Sequence, residues 1–271
     1  MDITIIVRVY NRLDDLACCL KVINELWKQN NYFVILVSNG QSAGYPIPEA
    51  IERDVDKHVC LTENAGHLKG NSQLLTSAIS HIPDNSDYTV ILEADTWLLD
   101  DSLITRYCRK MNTQNSVWSS ASWVSNVWSV GLDFAIISSQ YLKDHPKLVD
   151  YGEHPEKTVC NYLLDDQQRF LFIKENMPVH PSKFFRTIYS KCNYRFNCFV
   201  KSKMVTHHIE ELNGGLEEKK RYANLCLDYD FFPVSPTQSR FLFRLKCRFV
   251  AFMVLVLPQS SWFKRKRRWH P

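Results

Sequence analysis

The feature that most constrains the fold of this chain is a short apolar run that ends in two acids. Residues 90–92 (Val-Ile-Leu) are typical of a strand that is buried on both faces of a parallel sheet. Glu93 and Asp95 follow directly, separated only by Ala94. Because residues i and i+2 of an extended chain point to the same side, we expect both carboxylates at the carboxyl end of this strand. In open α/β sheets, ligands bind at that edge.

Two adjacent carboxylates repel each other unless a cation or a proton lies between them. Hard oxygen ligands suit Mg²⁺ or Mn²⁺, so the pair Glu93 and Asp95 favours a divalent cation that carries a phosphate. The alternative is a strand end followed by acids that cap a helix, a role that suits Asp100 and Asp101 better.

Strand and helix patterns alternate through the first half of the chain, which predicts a doubly wound, mainly parallel sheet. The predicted strands are Ile3–Val9, Phe33–Val37, Lys57–Leu61 and Tyr88–Glu93. Helices are predicted after Asn11, through Leu74 to Ile79 and over Asp101–Met111, with Asn11 as an N-cap and Asp14 and Asp15 in the first turn. Later elements are a strand at Phe134–Ile137 and helices over Glu156–Lys174, Leu216–Leu227 and Arg240–Leu257.

The charge of the chain is distributed unevenly. The formal net charge is +4, yet no Asp or Glu follows Asp230, and nine Lys and Arg residues do. The remaining chain holds 24 Lys and Arg against 29 Asp and Glu. We therefore predict a domain over 1–235 and a basic tail over 236–271, and expect an anionic partner for the tail only.

The cysteines and the N-terminus predict a cytosolic protein. The nine cysteines include no CxxC pair and no zinc-like Cys/His spacing, so we expect reduced thiols. The chain passes from Met1 directly into a strand, without the basic and apolar regions of a signal peptide. The longest apolar run, Phe249–Leu257, is too short to span a bilayer as a helix.

A series of short motifs follows in a fixed order up to Asp166. The motifs are Val9-Tyr10-Asn11-Arg12, Val37-Ser38-Asn39-Gly40, Asn64-Ala65-Gly66 with Gly70-Asn71, Ile91-Leu92-Glu93-Ala94-Asp95, and Leu164-Asp165-Asp166. In this order the motifs resemble those of family 2 glycosyltransferases of the GT-A fold. The chain is most similar to the bacterial branch that includes rhamnosyltransferases of surface polysaccharides. Two positions depart from the family: Ser38 and Asn39 replace an acid near the nucleobase, and Glu93 is one methylene longer than the usual aspartate.

The resemblance implies an α/β fold of the nucleotide-diphospho-sugar transferase type, with a nucleotide-binding half (1–112) and an acceptor-binding half (113–235). It implies a set of residues that contact the donor nucleotide sugar: Val9, Asn11, Arg12, Asn39, Asn64, Gly66, Lys69, Asn71, Glu93, Ala94 and Asp95. For Lys69 and Arg12, which would contact phosphate, an ordinary solvated charge is an equal alternative.

The resemblance also implies the catalytic groups. Asp95 would bind Mn²⁺ or Mg²⁺ directly, Glu93 would act through water or toward the ribose, and His208, rather than His207, would be a third ligand. Asp166 would be the general base, with Asp165 as the alternative. Two adjacent acids at a helix start are, however, also typical of a cap that complements the helix dipole.

The expected activity is transfer of a hexosyl or deoxyhexosyl group from a nucleotide diphosphate donor to a hydroxyl of a glycan or lipid-linked acceptor. It would be inverting and metal-dependent, and would serve synthesis of bacterial surface polysaccharide or lipopolysaccharide. Two alternatives are a non-catalytic binding module docked at the membrane and a nucleotidyltransferase. The second is disfavoured because no Gly-rich loop with Arg or Lys follows the first strand.

The tail mixes cations with aromatic residues over 240–269, a composition typical of helices that lie at a membrane interface. We therefore predict that 240–269 binds an anionic membrane surface and that the protein is peripheral on the inner face of the cytoplasmic membrane. Packing of this helix on the domain is the alternative. Nucleic acid is not an expected partner, because the five cations of Lys264–Arg268 occur without a recognisable nucleic-acid module.

Overall fold

A central sheet of seven strands organises the computed structural model, which describes residues 1–123, 127–176, 197–206, 212, 214–236, 239–256 and 266–270. The strands are β1 (Asp2–Val9), β2 (Asn31–Ser38), β3 (Lys57–Cys60), β4 (Tyr88–Glu93), β5 (Thr96–Leu98), β6 (Trp118–Ser122), β7 (Val130–Ser138), β8 (Phe170–Phe172), β9 (Asn197–Phe199) and β10 (Met204–Thr206). The α-helices are α1 (Leu13–Leu26), α2 (Glu49–Glu52), α3 (His67–Ile79), α4 (Ser102–Gln114), α5 (Ser139–Asp144), α6 (Pro155–Asp165), α7 (Gly215–Leu227) and α8 (Arg240–Val256).

The order of strands in the central sheet is β3-β2-β1-β4-β7-β6-β8. The first four run parallel to one another, β7 is antiparallel to β4, and β6 is antiparallel to β7 and parallel to β8. A second, antiparallel sheet has the order β5-β10-β9. The mainly parallel α/β fold predicted from the alternating pattern is therefore confirmed.

The strands bury apolar side chains on both faces, because successive residues point to opposite sides of a sheet. In β1, Ile5 and Val7 pack into one core together with α1, α4 and α7. Ile6 packs into a second core together with α3, α5 and α6. Ile91 of β4 joins the second core, whereas Val90 joins the first. The molecule therefore has three layers, with the sheet in the middle.

The helix predicted over Glu156–Lys174 is wrong in its second half. Helix α6 ends at Asp165, and residues 170–172 form strand β8, which pairs with β6. Gln167 adopts a left-handed conformation (φ 53°), which breaks the helix. The short apolar run of Phe170–Phe172 has no periodicity that distinguishes a strand from a helix, so the sequence pattern could not separate the two.

The predicted N-cap of the first helix is also wrong. Arg12, rather than Asn11, is the N-cap residue of α1, and no side chain there accepts a capping hydrogen bond. Asp14 and Asp15 do lie in the first turn, as predicted. Asp15 is buried, however, and its partner is a lysine from the far end of the chain rather than the helix dipole alone.

Candidate functional site

Three loops meet at the carboxyl edge of the parallel strands. They are residues 10–12 after β1, residues 39–40 after β2 and residues 94–95 after β4. β1 lies between β2 and β4 in the sheet, with Val9 paired to Ser38. A Cβ atom on Gly40 would lie 2.0 Å from the main-chain oxygen of Tyr10, so the first two loops touch where only glycine fits. The edge therefore has the shape expected of a ligand site in an open α/β sheet.

Two half-exposed tyrosines border this edge, and the sequence interpretation named neither as a site residue. The rings of Tyr10 and Tyr45 meet edge to face with their centroids 5.6 Å apart. Each side chain combines a flat apolar face with a polar tip, which suits stacking against a ligand ring. Their only signal in the sequence is the position of Tyr10 directly after the first strand.

A third group of predicted residues lies beside the second loop. Asn39 is buried and donates from Nδ2 to the carbonyl of Gly70 over 3.5 Å. Asn64 Oδ1 accepts a hydrogen bond from the backbone N–H of Gly66 over 2.9 Å, and Gly66 (φ 91°) is the N-cap of α3. A Cβ on Gly70 would lie 2.3 Å from Asn64 Oδ1 and 3.1 Å from Asn39 Nδ2. The structure therefore brings Asn39, Asn64, Gly66 and Gly70 together.

The remaining predicted donor residues of these loops and of α3 differ in exposure. Asn11 and Lys69 are exposed, Asn71 and Arg12 are partly buried, and Val9 is buried at the end of β1. Arg12 acts electrostatically on Asp15, where its positive charge favours the ionised carboxylate. Lys69 lies in the first turn of α3, whose unpaired backbone N–H groups favour anions.

The two acids of the metal motif have different surroundings. Glu93 accepts a hydrogen bond from the buried guanidinium of Arg8 over 2.8 Å. Arg8 also donates to the hydroxyl of Tyr151 and to the carbonyl of Leu132. One carboxylate oxygen of Glu93 therefore neutralises a buried cation, which is a structural role that the sequence interpretation did not foresee.

The geometric argument that put Glu93 and Asp95 on the same side does not hold. Strand β4 ends at Glu93, and Ala94 and Asp95 form a turn before β5, so the chain is no longer extended there. Hydrogen bonds hold this turn from several directions. The carbonyl of Ala94 accepts from Trp97 Nε1 over 3.2 Å, and the carbonyl of Asp95 accepts from Lys219 Nζ over 2.6 Å. The position of the Asp95 backbone is therefore fixed.

Lys219 is the most deeply buried cation near the site. It donates to Asp15 Oδ1 over 2.6 Å, and its Nζ lies 4.3 Å from the centroid of the Trp97 ring. Burial raises the pKa of the Asp15 carboxyl, while Lys219 lowers it and the nearby Asp95 raises it. This ion pair joins α1, α7 and the Asp95 turn, and no local sequence signal connects positions 15 and 219.

The residues around Asp95 fit the implied divalent cation if phosphate oxygens of the nucleotide supply some of its ligands. Among the described residues, no group of three or more His, Cys, Asp or Glu side chains could hold a metal ion. Mg²⁺ commonly binds through one or two carboxylates together with substrate phosphates, rather than in a cage made of protein alone. Asp95, with Glu93 two residues before it in the chain, matches that pattern. His207 and His208 lie outside the described residues.

Asp165 and Asp166 are not brought to this edge. They lie at the C-terminal end of α6, and not at a helix start as expected. Asp166 accepts a hydrogen bond from the hydroxyl of Tyr141 over 2.7 Å. Tyr141 follows the end of β7, where Ser138 pairs with the first residue of β4, so both aspartates lie at the opposite edge of the sheet from Asp95.

Asp165 and Asp166 also have hydrogen-bonding and ionic partners that suit a structural role rather than that of a general base. The hydrogen bond from Tyr141 lowers the pKa of the Asp166 carboxyl. Asp165 forms an ion pair with Arg268 of the C-terminal segment. The structure therefore gives the two aspartates contacts that stabilise the fold and separates them from the loops that carry the other predicted residues.

Glu156, which the sequence interpretation missed, lies at the start of the same helix. Burial raises the pKa of the Glu156 carboxyl, and the charge of Asp133 raises it further. Tyr151, which accepts a hydrogen bond from Arg8, also interacts electrostatically with Glu93 and Glu156. Glu156 therefore lies near the carboxyl edge of the sheet, where strand β4 ends at Glu93. The sequence signal was Pro155, because proline is typical of the first position of a helix and marks Glu156 as an acid of the first turn.

The C-terminal segment 266–270, most of which belongs to the stretch predicted to bind an anionic membrane surface, packs on the domain. The backbone N–H of Trp128 donates to the carbonyl of Arg267 over 2.9 Å, and Asn161 Nδ2 donates to the carbonyl of Trp269 over 2.9 Å. Lys266 donates to the hydroxyl of Ser122 over 2.5 Å. These contacts order the basic run of residues 266–268 against β6 and α6.

The chain is similar to known proteins in structure but not detectably in sequence. No protein-family model and no curated protein sequence matches the chain. Among solved structures, the chain is similar to mannosyltransferase PcManGT from Pyrobaculum calidifontis in complex with GDP-Man and Mn²⁺, with a TM-score of 0.51 and 14% identity over 97% of this chain and 88% of that one.

Other solved structures are similar at lower scores. Residues 1–349 of S. aureus TarS match with a TM-score of 0.49 and 11% identity, over 97% of this chain and 78% of that one. The 4-diphosphocytidyl-2C-methyl-D-erythritol synthase from Anaerococcus prevotii matches with a TM-score of 0.43 and 8% identity, over 63% and 86%. Likeness at these identities concerns the fold alone. The chain therefore has the GT-A type of α/β fold that its motifs implied.

Proposed function

We propose that this chain is a glycosyltransferase that moves a sugar from a nucleoside diphosphate to a hydroxyl group of a glycan or lipid-linked acceptor. The observation that carries the proposal is the meeting of three loops at one edge of a GT-A sheet, beside the N-terminus of α3. That arrangement offers aromatic faces, amide groups, a helix N-terminus and a carboxylate within a single site.

The nucleobase and the diphosphate of the donor would each contact different residues at the carboxyl edge of the sheet. Tyr10 and Tyr45 offer a stacking surface for the nucleobase, and Asn39 offers an amide beside it. The N-terminus of α3 favours the diphosphate, because its backbone N–H groups lack helical partners. Lys69 and Arg12 lie close enough in sequence to these loops to supply positive charge.

A divalent cation completes the donor site in this proposal. Asp95, with support from Glu93, would hold Mn²⁺ or Mg²⁺ against the diphosphate, and the ion would neutralise the charge that develops on the leaving group. The chain itself contributes a rigid Asp95 turn, held through its carbonyls by Trp97 and Lys219. The PcManGT complex with Mn²⁺ is consistent with this choice of ion.

Glu156 replaces Asp166 and Asp165 as the proposed general base. The acceptor oxygen forms a bond to the anomeric carbon as the bond from that carbon to the diphosphate oxygen breaks, and the acceptor proton passes to the Glu156 carboxylate. A single displacement of this kind inverts the anomeric centre. The raised pKa of Glu156 suits proton abstraction, since a base works best when its pKa is near the working pH.

The order of the sequence motifs also supports assignment to a particular branch of glycosyltransferases. It favours the family 2 branch that includes bacterial rhamnosyltransferases, and thus a hexosyl or deoxyhexosyl donor and a role in surface polysaccharide or lipopolysaccharide synthesis. The acceptor in such a role is held at the inner face of the cytoplasmic membrane, where we place this protein.

A non-catalytic binding module is the second candidate, and the Arg8–Glu93 ion pair favours it, because that pair engages one of the two predicted metal-site acids. The two candidates differ in turnover. Purified protein is incubated with Mn²⁺ and a panel of nucleoside diphosphate sugars, and release of nucleoside diphosphate is measured with and without candidate acceptors. Release by the wild type and its loss in Asp95→Asn support the enzyme. Binding of a nucleotide sugar without any release supports the binding module.

A further inference from the structure

We propose that one face of helix α8 is a docking surface for an anionic lipid bilayer. Five large apolar side chains of this helix are exposed, by fractions from 50% to 72%. They are Phe241, Leu242, Leu245, Phe249 and Phe252, and we call them the α8 stripe. The inference concerns a surface far from the donor site in sequence and does not depend on the proposed activity.

The α8 stripe is a continuous band along the helix. At about 100° per residue, its five members fall within a sector of about 100°, following the i, i+4, i+8 and i+11 pattern of one helical face. Phe243 lies on the opposite side, where it is 1% exposed and packs against the ring of Tyr222 with the centroids 5.9 Å apart. Phe243 is therefore turned into the protein, whereas the α8 stripe faces outward.

Ion pairs hold the helix in this orientation. Arg240 pairs with Asp230 over 2.6 Å, and Arg244 pairs with Asp228 over 3.0 Å. Together with Phe243, these contacts fix the N-terminal half of α8 on the domain, so the α8 stripe is presented outward by a folded structure. A contiguous exposed apolar patch of this kind is typical of an interaction site.

The positive charge beside the α8 stripe indicates that its partner is an anionic lipid surface. No acidic residue follows Asp230. Arg248 and Arg244 are both exposed and occupy the helical positions next to one border of the α8 stripe, Arg244 while it also pairs with Asp228. Cations beside an apolar band suit anionic headgroups above the acyl boundary. Helix α8 has 17 residues, about 26 Å in length, and could lie in the plane of the interface. Among the described residues, no helix is long and apolar enough to cross a membrane.

Two basic residues of the segment 266–270 have partners on the domain. Arg268 is engaged by Asp165, and Lys266 by Ser122. These two cations are therefore engaged by the domain, whereas the α8 stripe and the exposed Arg248 beside it face outward.

The test is co-sedimentation of the full chain with vesicles of phosphatidylcholine alone or of phosphatidylcholine with phosphatidylserine. Leu245→Glu/Phe249→Glu removes the centre of the α8 stripe, and Tyr229→Glu is the matched control, since Tyr229 is an exposed aromatic residue outside it. We expect binding of the wild type and the control to anionic vesicles, at least tenfold weaker binding of the double variant, and melting temperatures that agree among all three.

Three results would overturn the proposal: failure of the wild type to bind anionic vesicles, equal binding by the double variant, or equal binding to neutral vesicles. Sedimentation-equilibrium measurements without lipid add a fourth. If the wild type self-associates, the double variant is monomeric and neither binds vesicles, the α8 stripe is an interface between copies of this chain instead.

Discussion

At the scale of single residues, Glu156 and Asp166 mark the two ends of helix α6, and their environments oppose each other. Burial and the charge of Asp133 raise the pKa of Glu156, whereas the hydrogen bond from Tyr141 lowers the pKa of Asp166. An acid with a raised pKa at the loop edge of the sheet suits proton transfer. An acid held ionised by a tyrosine at the opposite edge suits a structural role.

The first prediction concerns the pH dependence of transfer. Glu156 must be ionised to act as a base, so kcat/KM should rise with pH through a pKa above that of an ordinary glutamate. Glu156→Gln should lower kcat by about 100- to 10,000-fold and remove this acid limb. Asp166→Asn is the control and should keep both the rate and the pH profile. The reverse result, with the limb lost only in Asp166→Asn, would restore the base expected from the sequence.

Asp166→Asn should act on stability instead. Because the folded-state pKa of Asp166 is lowered, its contribution to stability is fully present above its unfolded pKa and is lost as the pH falls through its folded pKa. The variant should therefore unfold more readily than the wild type at neutral pH, with the difference vanishing in acid. Urea unfolding at several pH values measures this difference.

At the scale of secondary-structure elements, the buried pair of Lys219 and Asp15 connects α7 to α1 and to the Asp95 turn. Removing one partner of a buried ion pair typically costs about 3–5 kcal/mol, because the other charge is left without compensation. Lys219→Met should therefore destabilise the fold by that amount in urea unfolding. Lys220→Met, which breaks only the pair with Glu217, should cost about 0–1 kcal/mol.

The double variant Asp15→Leu/Lys219→Met separates stability from function. Replacing both charges with apolar groups should recover most of the lost stability. Affinity for a nucleoside diphosphate should be lower than that of the wild type in both Lys219→Met and the double variant, because the Asp95 carbonyl lacks the hydrogen bond from Lys219 in both. Strictly additive changes in stability would show that the two side chains are not coupled.

The loop before α3 gives a sharper steric prediction. Gly70→Ala would place a Cβ atom 2.3 Å from Asn64 Oδ1, so the Asn64 loop must shift. We expect nucleoside diphosphate affinity to fall by about tenfold or more, which corresponds to about 1.4 kcal/mol. Gly152→Ala is the control, since its Cβ would meet nothing within 4 Å. Equal affinity of the two variants in calorimetric titrations would remove the Asn64 loop from the site.

Different elements were predictable to different degrees, for physical reasons. Strands such as β1 and β4 are buried on both faces, so their apolar runs are visible in the sequence. Strand β8 has only three partly buried residues, and it exists because β6 lies beside it. The loops at the carboxyl edge follow from strand order, whereas the Lys219–Asp15 pair depends on packing between distant segments, which local patterns do not encode.

At the scale of the whole molecule, the C-terminal region divides into two parts with different surroundings. Helix α8 keeps the amphipathic character that its sequence predicted, with Phe243 inward and the α8 stripe outward. Residues 266–270 instead pack against β6 and α6. A run of cations has the same composition whether it faces lipid or pairs with Asp165, so composition alone could not distinguish the two arrangements.

In the proposed function, the carboxyl edge of the sheet binds a nucleoside diphosphate with a divalent cation at Asp95. The most direct measurement is calorimetric titration of the wild type and Asp95→Asn with each common nucleoside diphosphate, with and without Mn²⁺. We expect that at least one nucleoside diphosphate binds the wild type, that Mn²⁺ strengthens this binding, and that Asp95→Asn removes the strengthening while the fold stays intact. Absence of binding to the wild type, or binding that is identical in both proteins and indifferent to Mn²⁺, would contradict it.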